Sequence, residues 1–125
     1  MLNDEQKTKD LKLRTKQFAL RIIRLYSSLS TTGAAGVIGK QLLRCGTSVG
    51  AQYREAARAR SAAEFISKLE SATQELDEST YWMELLDESS LVEARLLEGL
   101  KQEAEELTRI FVSSALTAKK NKGDV

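Results

Sequence analysis

No proline occurs anywhere in this 125-residue chain, and through its second half small and apolar residues fall at alternating steps of four and three. Phe65, Leu69, Ala72, Leu76, Ser79, Met83 and Leu86 form one such row, and Leu97, Leu100, Ala104, Leu107, Phe111, Ser114 and Ala118 form another. Alternating 4/3 spacing keeps one stripe of a helix turned toward a partner crossing at about 20°, the geometry of bundles. Strand-like alternation of comparable length is absent. Breaks therefore come from Gly and from Ser/Thr clusters. Residues 27–36 read as a loop between a first amphipathic stretch, near residues 11–29, and a second, near 35–59. Ser61-Ala62-Ala63-Glu64 and Ser90-Leu91-Val92-Glu93 both read as capping boxes that open further helices. Four helices with short connections predict an all-α, antiparallel up-and-down four-helix bundle. The expected organisation is an N-terminal tail at 1–10, the bundle at 11–118 and a basic C-terminal tail at 119–125.

The side-chain inventory narrows function. There is no His and a single Cys, so the imidazole general base and the usual zinc ligand are missing and no internal disulfide can form. Cys45 shares the row Ile38, Leu42, Val49 and Ala56 and reads as core, where a thiol is inert. Glu70, Asp77 and Glu84 repeat every seven residues, but a di-metal bundle needs Glu-x-x-His, which the chain lacks. These features point to a protein that is not an enzyme, with no metal or cofactor. The N-terminus shows no apolar signal core and no apolar run is long enough to span a bilayer, so the expectation is a cytoplasmic protein without a membrane partner.

Charge is distributed unevenly. Residues 1–29 carry seven Lys/Arg and three Asp/Glu, and residues 30–60 carry five and one, so each stretch sums to +4. Residues 61–90 hold one Lys against eight acids, and residues 91–125 balance at six and six. On the second helix Lys40, Arg44, Arg54 and Arg58 form one stripe, with Thr47 and Ala51 between them. Arg14, Gln17, Arg21 and Arg24 form another on the first helix. Two cationic lines suit a phosphate backbone, which is held without reading sequence. The same lines also suit a solvated helix face or a contact with the acidic third helix of a second copy.

Gly39, Gly46, Gly50 and Ala57 make a small-residue row on the second helix. Each interior glycine costs about 1 kcal/mol relative to Ala, which close approach of a neighbouring helix would offset. A P-loop is not supported, since no Lys-Ser/Thr follows Gly-Thr-Ser-Val-Gly. Trp82 falls off the Met83/Leu86 row, and Leu13 and Leu20 fall on the polar side of the first helix; both suggest an interface and self-association.

Four blocks carry a family resemblance: residues 42–56 (Leu-Leu-Arg-Cys-Gly-Thr-Ser-Val-Gly-Ala-Gln-Tyr-Arg-Glu-Ala), Phe18-Ala19-Leu20-Arg21-Ile22, Glu64-Phe65-Ile66-Ser67-Lys68-Leu69, and Glu78-Ser79-Thr80-Tyr81-Trp82-Met83-Glu84-Leu85-Leu86. Together they resemble the four-helix-bundle proteins encoded within intervening sequences of bacterial 23S ribosomal RNA genes, which are similar to the accessory variability determinant of diversity-generating retroelements. Gln52 stands where the pattern usually has Asn, and Cys45 where it usually has Ser. The resemblance implies a non-enzymatic homo-oligomer, a pentameric barrel. In the accessory-determinant branch it further implies a basic surface that binds RNA or DNA, and a reverse transcriptase as partner. The residues expected to contact phosphate are Arg14, Arg21, Arg24, Lys40, Arg44, Arg54 and Arg58.

Overall fold

The computed structural model describes residues 3–123, and these form four helices: α1 (Asp4–Ser28), α2 (Gly33–Ala57), α3 (Ala62–Glu88) and α4 (Ala94–Lys122). Among the described residues there is no strand. Helix α2 packs closely on α1 and on α3, α3 packs on α4, and α1 meets α4 more sparsely to close the ring. The backbones of opposite helices do not approach one another closely. With connections of four or five residues, neighbours run antiparallel, as the spacing predicts.

The 4/3 rows form the interior. Leu69, Leu76, Met83 and Leu86 of α3 and Leu97, Leu107 and Phe111 of α4 are almost fully buried, together with Phe18 and Ile22 of α1 and Leu42 and Val49 of α2. Tyr53 stacks face to face on Phe111 with ring centroids 5.4 Å apart, adding a specific contact between α2 and α4. Phe65, Ser114 and Ala118, at the ends of the two rows, are only partly buried, and on α4 Ala115 takes the inward position instead.

Three boundaries differ from the sequence reading. Residues 4–10 are helical rather than a tail: Asn3 accepts from the Gln6 N–H at 2.8 Å while Gln6 Oε1 accepts from the Asn3 N–H at 3.1 Å. That reciprocal cap starts α1 two turns before its first buried residue, Leu11. The basic residues Lys119, Lys120 and Lys122 form the last turn of α4, where cations suit the helix C-terminus, and Gly123 closes it at φ 87°. Asp124 and Val125, like Met1 and Leu2, lie outside the described residues. The α1–α2 loop spans only residues 29–32, because Ser27 and Ser28 donate back to Ile23 and Leu25 carbonyls. Gly36 lets the loop lie close: a Cβ there would stand 2.6 Å from the Thr31 carbonyl oxygen.

The two sequence-read capping boxes also resolve differently. Ser61 caps α3 by accepting from the Glu64 N–H, and Glu64 reaches back to the Arg60 N–H. Ser90 caps nothing. It takes φ 60° in a turn where the Leu91 and Val92 N–H groups both donate to Leu86 O, so α4 begins later, with Glu93 at its N-cap.

Candidate nucleic-acid interface

Helix register decides which cations can act together. The α1-facing row of α2 is the glycine row. A Cβ on Gly39 would lie 3.0 Å from Leu29 and 3.2 Å from Tyr26, one on Gly46 would lie 2.9 Å from Ile22, and one on Gly50 would lie 3.2 Å from Thr15 Oγ1. Ala57, at the end of α2, is exposed and takes no part in this approach. The row of α1 that meets α2 thus contains Thr15, Ile22 and Tyr26, and Lys12 precedes it on the same line.

The seven sequence-predicted arginines and lysines do not share one surface. Arg14 lies on the opposite side of α1 and forks onto Glu103 of α4, with Nε 3.1 Å and Nη2 2.7 Å from the two carboxylate oxygens, and Glu106 adds a contact at 3.4 Å. The Glu103 hydrogen bond holds the guanidinium even more firmly protonated than usual. Arg21 and Arg24 follow Arg14 along the α1–α4 seam and line a recess with Leu96 and Leu100. Arg44 turns toward α3, where Nη2 binds Glu78 at 2.8 Å and Nη1 stands 3.7 Å from Glu75. Burial pushes the Glu75 carboxyl above its ordinary range and Glu78 adds repulsion, against the pull of Arg44.

Lys40, Arg54 and Arg58 remain on the outer side of α1 and α2. All three are exposed and make no ion pair among the described residues. Since Gly50 meets Thr15 and the helices are antiparallel, Arg54, one turn after Gly50, stands near the level of Leu11 and Lys12, and Arg58, just past the end of α2, near that of Lys7. Lys9, Lys12 and Lys16 are equally unpaired. These lysines were missed in favour of the arginine line, although their spacing of three and four was a usable signal. Half of the α3 acids, by contrast, are taken up at seams: Glu75 and Glu78 by Arg44, Glu70 by Lys119 at 3.1 Å and Asp87 by Lys101 at 3.0 Å.

The remaining singled-out groups are structural in their surroundings. Cys45 is fully buried, its thiol pushed up by burial, with Sγ 3.2 Å from Ser79 Oγ. Trp82 packs against the core with its Nε1 buried and unpartnered, and the exposed Tyr81 meets it edge-on at 5.1 Å. Gln52 Oε1 is likewise buried without a hydrogen-bond partner. Among the described residues no cluster of His, Cys, Asp and Glu could hold a metal ion, and no helix is long and apolar enough to cross a membrane.

Residues 8–113 match the family described as 23S rRNA-intervening sequence protein. The chain belongs to this family. A crystal structure of a protein of unknown function from the S23 ribosomal protein family of Bacteroides thetaiotaomicron is 37% identical, with a TM-score of 0.81 over 87% of this chain and 97% of that one. No curated protein matches the sequence. For this intervening-sequence family member the likeness fixes the helical architecture, with the cationic α1–α2 face and the neutralised α3 seams displayed on it.

Proposed function

We propose that this intervening-sequence protein is a non-enzymatic accessory protein of the cytoplasm that binds RNA or DNA through the phosphate backbone. The observation that carries the reading is the outer α1–α2 face. Lys12, Lys16, Lys40, Arg54 and Arg58 stand there without ionic partners among the described residues, while the α3 acids Glu70, Glu75, Glu78 and Asp87 are drawn into pairs elsewhere. From Lys40 to Arg58 the α2 stripe runs about 27 Å at 1.5 Å per residue, long enough to follow several phosphates. Contacts of this kind give affinity with little sequence preference. The resemblance to the accessory determinant supports two further elements of the proposal, a homopentameric assembly and a reverse transcriptase as partner.

Fluorescence anisotropy with a structured RNA at several salt concentrations tests it. Log K should fall by about 0.7–0.9 per tenfold rise in salt for each phosphate neutralised, and Arg54→Glu/Arg58→Glu should flatten the slope by about two such increments. An unchanged slope refutes the assignment of these residues.

A second reading has an observation of its own. Leu13, Leu20 and Ile23 are 53%, 42% and 41% exposed on the outer side of α1, an apolar strip suited to a subunit contact. In a purely structural oligomer the double charge reversal would lower the sedimenting mass, and the wild type would retain no RNA at any salt.

A further inference from the structure

The α1–α4 seam holds a second basic feature, apart from the α1–α2 face. Arg21, Arg24, Leu25 and Ser28 of α1 and Leu96 and Leu100 of α4 line a recess of about 310 Å³. Arg21 is half-buried, and its Nη2 lies 2.8 Å from the point where a Cβ on Gly99 would sit. Gly99 occupies an exposed position inside α4, where glycine costs about 1 kcal/mol relative to Ala. The missing methyl is what allows the guanidinium to lie against the helix. Neither arginine has an ion pair or hydrogen-bond partner among the described residues, and no carboxylate lines the recess. The Ser28 hydroxyl already donates to Leu25 O at 2.7 Å, so the two guanidiniums supply the donors.

Arg24 beside it is exposed, and two neighbouring guanidiniums without a counter-charge, one of them lying against the helix, attract an anion. We propose that the recess binds a terminal phosphate monoester, carried either by a mononucleotide or by the phosphorylated end of an oligonucleotide. A monoester offers three acceptor oxygens and a charge near −2 at neutral pH, enough for two guanidinium forks. A phosphate inside a strand has two free oxygens, and its chain must leave on both sides, which a recess suits poorly. Leu25, Leu96 and Leu100 give an apolar wall for the attached sugar or base. The site stands whether or not the α1–α2 face binds a backbone.

The test compares the full chain binding a 3′-labelled oligonucleotide with a 5′-phosphate or a 5′-hydroxyl, and AMP against adenosine by calorimetry. The phosphorylated ligand should bind about tenfold more tightly. AMP showing the preference identifies a free nucleotide as sufficient, and the preference confined to the oligonucleotide identifies a strand end. Gly99→Ala, which displaces Arg21 without touching the ligand, should abolish the preference while raising the melting temperature, and Arg21→Gln should abolish it too. Arg54→Glu/Arg58→Glu should leave it intact. Equal affinity for phosphate and hydroxyl forms, or a preference that survives in both Gly99→Ala and Arg21→Gln, overturns the proposal.

Discussion

Gly46 and Gly99 are both glycines inside helices, yet alanine acts oppositely at the two. A methyl on Gly46 would stand 2.9 Å from Cγ1 of Ile22, a fully buried β-branched side chain with nowhere to move. Gly46→Ala is expected to lower stability by about 1–3 kcal/mol in urea unfolding, because overpacking outweighs the helix-propensity gain. At Gly99 the obstacle is the free end of a long side chain, so the gain prevails. The glycine row was visible in the sequence as spacing, but the identity of each neighbour was not, since it depends on how α1 is rotated. Gln52 shows the same limit. It stands out against the family pattern, and only packing reveals that its Oε1 is buried without a donor.

The α2–α3 seam is where ionisation bears on an element's packing. Glu75 has its folded pKa raised, chiefly by burial. A carboxyl shifted this way contributes stability that is fully present below its unfolded pKa, about 4.3, and is lost as pH rises through the folded value. Glu75→Gln cannot ionise, and Arg44 keeps Glu78 at 2.8 Å. The variant should therefore unfold at higher urea than wild type at pH 7, and the difference should fade on acidification below the ordinary carboxylate range. At this scale the sequence was most readable: the 4/3 rows of α3 and α4 locate the interior because periodicity is set by packing itself. The start of α1 was hidden because its first two turns carry no buried apolar residue; the Asn3/Gln6 cap and Thr8, whose hydroxyl donates to Asp4 O, support them instead. The false box at Ser90 has the matching chemistry, but the turn satisfies Leu86 O instead.

Across the whole molecule, closure of the ring depends on α1 and α4, which pack more sparsely than the other neighbours. Arg14 and Glu103 are the clasp, with side chains 27% and 15% exposed. Arg14→Ala should cost about 1–2 kcal/mol, less than a fully buried pair because water screens it. Amide exchange along α1 should rise more than along α2 or α3. Segment sums of charge were legible from the start, whereas the pairing was not: Arg14 and Arg44 belong to the counted basic half yet spend their charge on α4 and α3. That partition changes how a polyanion would meet the protein. At physiological ionic strength fields fade over about 8 Å, less than the width of one helix with its side chains. An approaching strand would feel the near face and hardly the far one. A chain of formal net charge +1 would be captured in one orientation, and diffusional encounters on the acidic side would be unproductive.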